Sequence, residues 1–245
     1  MAQNVPAFRF SDDALRVRHA IYEHWCAHGR APNLREMRER TGLGRLRLVE
    51  VYRELDLGLI VTLHPDTQQA AILKCQPFSS YPSQVAVHLD GRFHCWAGCA
   101  MESMAISLMP PFGGKELRLE SYCPCCLDPV SLTVRDGAVL SRAPETIRIH
   151  VSHSPRDWNV ADIVCMCDGM NFVLDAEHAA RYERQISRRG VLFTLEQAQR
   201  FVAGTGQNRM HRYDWEPVPL IPERVLKGIA ALGVDVSPWA TGDPE

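Results

Sequence analysis

Apolar and polar positions change their period several times along the chain, and each change predicts an element. Residues 11–26 set Ala14, Leu15, Val17, Ala20, Ile21 and Trp25 at helical spacing behind the capping signal Ser11-Asp12-Asp13. Asn33 stands where it would cap a second helix, Leu34 to Arg40. Thr41-Gly42-Leu43-Gly44 makes a turn, and a third helix runs from about Arg45 to Leu55. Leu59 to Leu63 and Gln69 to Leu73 then flank His64-Pro65-Asp66-Thr67 as a two-stranded hairpin. Three helices and a hairpin predict a winged helix-turn-helix-like domain over residues 1–80. The Pro/Ser-rich stretch 76–83 reads as the linker that closes it.

Beyond the linker the period shortens. Gln84 to Leu89 alternates and ends at the turn signal Asp90-Gly91, with a second short strand after it. Cys99 to Ile106 then reads as a helix that stops before Pro110-Pro111. Leu117–Tyr122 and Val130–Val134 are strands on either side of the turn Cys123-Pro124-Cys125-Cys126-Leu127-Asp128-Pro129. Ile147–Val151 is a further strand, and Asn159–Val173 is mostly buried in character. Asp175 to Gly190 is an amphipathic helix carrying Ala179, Tyr182 and Ile186, and Glu196 to Ala203 a shorter one. The pattern predicts an α+β protein: the helical domain 1–80, a mixed β-sheet catalytic domain with flanking helices over 81–203, and a C-terminal extension 204–245 with a short helix at Pro222–Leu232.

Composition narrows the function classes. A net charge of −2 over 245 residues gives no global basic field for nucleic acid or membrane. Arg45 and Arg47 would begin a recognition helix, but Glu50 and Glu54 follow on it. Two arginines are a thin footprint, so a structural role for the helical domain outweighs DNA binding. No apolar run nears the roughly 20 residues of a membrane helix. Met1-Ala2-Gln3-Asn4-Val5-Pro6 lacks a signal peptide's charged start and apolar core, so the expected compartment is the cytoplasm.

That compartment makes the nine cysteines thiols. Seven of them (Cys95, Cys99, Cys123, Cys125, Cys126, Cys165 and Cys167) crowd into the middle of the chain, which points to thiol or soft-metal chemistry there. Cys99 falls at a helix N-terminus, where unpaired N–H groups favour a thiolate, and Glu102 lies one turn on. The two form a candidate nucleophile and proton donor. Cys123-x-x-Cys126 and Cys165-x-Cys167 form an alternative constellation, four thiolates suited to zinc. A redox role for C-x-x-C would need a strand–helix setting, and a Pro/Asp turn into a strand follows instead. Cys26 and Cys75 read as core, Cys95 as packing or a spare thiol, and His88, His94 and His150 as satisfied polar groups.

Taken in order, these features resemble the alkylmercury (organomercurial) lyase family. The resembling residues are Tyr81-Pro82-Ser83 before a strand, Leu89-Asp90-Gly91, Cys99-Ala100-Met101-Glu102-Ser103-Met104, Tyr122-Cys123, and Pro129-Val130-Ser131-Leu132-Thr133-Val134. A later cysteine, Cys167, lies five residues before Phe172. The resemblance covers residues 10 to about 200. It implies that Cys99 and Cys167 bind the mercury of an organomercurial, with Cys165 the alternative for the second thiol. It implies that Glu102, where the family's pattern has aspartate, carries the proton that splits the carbon–mercury bond. It implies a structural role for Cys123 and for the helical domain. No cofactor is required: mercury(II) is the metal of substrate and product, and cellular thiols or a mercuric reductase would take it away. Against this stands a thiol-based zinc or soft-metal sensor using Cys123, Cys126, Cys165 and Cys167 with a DNA-reading winged helix. A lyase relative acting on another carbon–metal or carbon–metalloid bond is the third expectation.

Overall fold

The computed structural model describes residues 9–58, 60–64, 71–157, 167–203 and 222–240. Three helices open it: α1 (Asp12–His28), α2 (Leu34–Thr41) and α3 (Arg45–Leu57). Ser11 caps α1 by accepting the Ala14 N–H at 3.2 Å, and Asn33 and Glu36 form a reciprocal capping box on α2. The stripe Ala14, Val17, Ala20, Ile21 and Trp25 is buried. On α3, Glu54 turns inward and accepts from the Ser11 hydroxyl at 2.8 Å, while Arg47 pairs with Asp13 at 2.8 Å and Glu50 at 3.2 Å. The charges expected to face a nucleic acid are thus partly spent inside the helical unit.

Eight strands form one antiparallel sheet in the order β1-β2-β3-β5-β4-β6-β7-β8. They are β1 (Val61–Leu63), β2 (Ile72–Cys75), β3 (Phe78–Ser79), β4 (Ala86–Leu89), β5 (Arg92–Ala97), β6 (Leu117–Tyr122), β7 (Pro129–Arg135) and β8 (Ala138–Ala143). A second sheet, order β10-β9-β11, comprises β9 (Arg148–Val151), β10 (Met170–Val173) and β11 (Val191–Phe193). The helices α4 (Ala100–Ile106), α5 (Ala176–Ile186), α6 (Leu195–Val202) and α7 (Pro222–Ala231) complete the described chain. No helix among the described residues is long and apolar enough to cross a membrane.

The expected linker is where structure and pattern differ most. Proline and serine mark 76–83 as loop, yet Phe78 is fully buried, pairs with Ala97 of β5 and stacks on Trp25 at 5.4 Å between ring centres. One buried aromatic outweighs the composition around it. The Tyr22 hydroxyl adds a hydrogen bond to the Gln76 carbonyl at 2.8 Å. The hairpin β1–β2 is therefore no free-standing wing. It extends the same sheet that carries β4 to β8, and one continuous apolar core joins helices and sheet. Gly29 shows how closely they meet: at φ +68, a Cβ there would lie 1.8 Å from the His94 carbonyl oxygen.

Strands β8 and β11 and the sheet order are not evident in the alternation alone. Of the buried-looking stretch 159–173, residues 158–166 lie outside the described part and Met170–Val173 is β10. The extension's helix is α7; residues 204–221 and 241–245 lie outside the described part.

Candidate active site

Strand β5 ends at Ala97, and the chain turns through Gly98 into α4 with Cys99 as the helix cap. Cys99 has extended backbone (φ −165, ψ 179), and its sulfur accepts the Glu102 N–H at 3.3 Å. An N-cap side chain thus doubles as the candidate nucleophile, its lone pairs aimed by the helix it starts. Glu102 folds back over Gly98. A Cβ on residue 98 would sit 1.9 Å from Glu102 Oε2, so only glycine leaves the carboxyl group its place. The Gly98 N–H is held by the Pro77 carbonyl at 2.7 Å, which anchors this turn to the neighbouring strand.

Cys167 arrives from 65 residues further along than Glu102, just before β10. Its thiol donates to Glu102 Oε2 at 3.6 Å. Cys99, Glu102 and Cys167 place one ligand atom each within 4.8 Å of one another, and among the described residues they are the one such cluster of three or more. Both thiols are buried and Glu102 is half-buried. The hydrogen bond with Cys99, burial, and the Glu102 charge together push the Cys167 thiol well above the ordinary range, against a smaller opposing pull from Lys74. Cys167 is thus held protonated at neutral pH, with its proton directed at a carboxylate. A third sulfur completes the edge: Met170 Sδ lies 3.9 Å from Cys99 Sγ.

Lys74 on β2 lies beside the Gly98–Asp168 edge of the site. Its side chain is 3% exposed, its Nζ is 2.9 Å from Asp168 Oδ1 and 3.5 Å from the Gly98 carbonyl oxygen, and it stands 5.4 Å from the centre of the Tyr81 ring. Burial works against its charge, but Cys167 and Asp168 outweigh burial and hold its pKa above the usual lysine value. One ammonium group therefore ties the residue before Cys99 to the residue after Cys167. Asn171, buried, fixes the same segment by donating to the Asp168 carbonyl at 3.1 Å. A pocket of about 360 Å³ opens over Cys99 and Cys167, walled by Tyr81, Pro82, Gln84, Tyr122 and Met170; Glu102 lies behind the two thiols and is not part of its lining.

The structure brings Cys99, Glu102 and Cys167 together and leaves Cys123, Cys125 and Cys126 in a separate turn after β6. Cys165 lies outside the described residues. The four-thiolate set is therefore not seen assembled: Cys167 faces Cys99. Cys26, Cys75 and Cys95 are buried in the core. His88 pairs with Glu120 and His150 with Glu183, each at 3.1 Å. Sequence reasoning missed Lys74 and Met170; a lone lysine inside the apolar run Ile72-Leu73-Lys74-Cys75 was the available signal.

Two soft sulfurs and a carboxyl group converge beside a small pocket, a donor set suited to a soft metal. The comparisons give the family: the alkylmercury lyase model matches residues 78–205, over half of the chain, and the chain belongs to that family. As a member it is a lyase of organomercurial-lyase-like function, a class that calls for no cofactor. Among solved structures, the mercury-bound form of MerB2 superposes with a TM-score of 0.63 at 20% identity, covering 84% of this chain and 93% of that one. That likeness shows the shared fold. The search of curated proteins gave no match.

Proposed function

We propose that the protein cleaves the carbon–mercury bond of a small organomercurial by protonolysis, with Cys99 and Cys167 as mercury ligands and Glu102 as proton carrier. The observation that carries this is the Cys167 thiol hydrogen-bonded to Glu102 at 3.6 Å within the Cys99–Glu102–Cys167 cluster.

In this mechanism R–Hg–X enters the pocket and Cys99 displaces X, its proton leaving with X. Cys167 then binds mercury as its proton passes to Glu102. Two sulfur donors raise electron density on the mercury-bound carbon, and Glu102 delivers the proton to it. R–H departs, and mercury(II) remains on two thiolates. The two thiol protons end on X and on R, so the balance closes without oxidant or cofactor. Two external thiols then exchange with the protein sulfurs and carry the metal off. Burial of the cluster excludes water from the proton path, and the half-buried Glu102 needs little movement to reach a carbon held between the sulfurs. Lys74 serves as a positioning residue, keeping the two thiol-bearing segments in register while its charge offsets that of the thiolate pair.

Single-turnover reaction with phenylmercury in excess small thiol tests the reading. Benzene from the parent protein and none from Cys99→Ala is the expected result. Tight mercury binding without benzene would overturn it.

A further inference from the structure

Outside the reaction cluster, the thiol-rich turn after β6 has no part in this chemistry. Cys123 is fully buried. Its N–H donates to the Asp128 carbonyl at 2.9 Å and its own carbonyl accepts from Leu127 at 2.8 Å, so the turn closes on itself. Leu127 takes left-handed backbone, φ 65, which turns the chain so that Asp128 comes back to accept the Cys123 N–H. Cys126 packs against the buried Cys123, and its thiol reaches Asp128 Oδ2 at 3.4 Å. Val173 and Ala179 are buried against them, with Leu174 and Leu192 alongside. Tyr122, the residue before Cys123, walls the reaction pocket, and Val173 shares β10 with Met170 of that pocket.

We propose that Cys123 and Cys126 form a second mercury(II) site, a two-thiol clamp beside the reaction pocket.

Two sulfurs suffice for mercury(II), which is soft and content with two thiolates, whereas a structural zinc takes four ligands. Among the described residues the turn assembles no third ligand atom at metal-site spacing. Binding releases two thiol protons, with the Asp128 carboxylate beside Cys126 as the first acceptor. The product is a neutral bis-thiolate, which suits a wall of valine, alanine and leucine better than a charged complex would. Cys126, half-buried, gives entry from solvent while Cys123 gives the buried anchor. The site deepens the lyase reading by giving released metal a place to go, and it rests on that reading only for the source of its mercury.

The test uses inorganic mercury(II) alone, so lyase activity does not enter. The full-length reduced Cys99→Ala/Cys167→Ala protein, lacking the reaction pair, is equilibrated with mercury(II) buffered by free cysteine and dialysed. The expected result is one retained equivalent, lost when Cys126→Ser is added. No retained mercury, or mercury that survives Cys126→Ser, overturns the proposal. Should the triple variant fail to fold, alkylation of the double variant followed by peptide mass analysis decides. Mercury must shield Cys123 and Cys126 together, and shielding of any other pair overturns the site. Because benzene release tests the lyase reading separately, failure of one does not imply failure of the other.

Discussion

Two groups of thiols sit side by side in this fold and are built on opposite plans. Cys99 and Cys167 are distant in sequence, and sheet topology joins them through β5, α4 and β10 around a half-buried carboxyl group. Cys123 and Cys126 are three residues apart and are joined by a single closed turn, with Asp128 beside them. The first plan takes a whole domain and sets a carboxyl group, one turn from Cys99, within hydrogen-bonding reach of Cys167. The second needs only local backbone, and its one carboxyl neighbour, Asp128, stands beside Cys126 within the same turn. Under the mechanism proposed above, the contrast separates a pair that breaks a bond from a pair that only holds a metal.

The comparison breaks outright if Glu102→Gln still releases benzene. Glutamine keeps the shape but carries no proton, so we expect protonolysis to fall about 10²–10⁴-fold while mercury binding persists, as read by single-turnover gas chromatography beside equilibrium dialysis. Gly98→Ala attacks the same carboxyl group from behind. The added methyl must displace Glu102, and a shift near 1 Å is worth about a hundredfold in rate. Mercury stoichiometry should stay unchanged, and the rate alone should suffer.

Lys74→Met sharpens the comparison from the structural side. It removes the tie between Gly98 and Asp168, and we expect a rate loss of about tenfold, equal to about 1.4 kcal/mol, partly rescued by Lys74→Arg. Asp168 is more than half exposed, so its own charge is left in water and little stability should be lost with the ion pair. A merely structural lysine would instead lower the melting temperature with no gain from arginine.

The smallest expected effect concerns pH. Burial pushes Cys26 up to about 12 and raises Cys95, and the hydrogen bond with Cys99, joined by burial, raises Cys167 from the ordinary thiol value of 9.0. Raised folded values mean that the folded state holds its thiol protons longer than the unfolded chain does. The stabilisation is complete below pH 9 and is lost as pH climbs toward the folded values. Urea midpoints should therefore agree at pH 7 and 8 and drop at pH 10. A midpoint unchanged at pH 10 would place these thiols in water.

What the sequence disclosed follows the same division. Cys99 and Glu102 are one helical turn apart, so cap and carboxyl group could be paired from spacing alone. The helices were legible because Ser11, Asn33 and Asp175 each accept a backbone N–H at a helix start, and the buried stripe on α1 repeats at helical period. Lys74 escaped notice because its partner Asp168 is 94 residues away, and nothing in a single strand announces which neighbour the sheet will supply. The stretch 76–83 misled for a related reason: Pro77 and Ser80 describe local turns, whereas Phe78 is governed by Trp25 across the helix–sheet contact. Residues whose partners are local can be read in order. Those whose partners come from topology become visible only once the strands are in place.

The contact between Glu102 and Gly98 also constrains how such a chain can drift. While glutamate holds position 102, any side chain at position 98 meets its carboxyl end and must push it aside. Shortening residue 102 to aspartate withdraws the carboxyl group by a methylene and opens room there. The two positions are then not independent, and a double-mutant comparison of Gly98→Ala with Glu102→Asp is expected to show the pair to be non-additive.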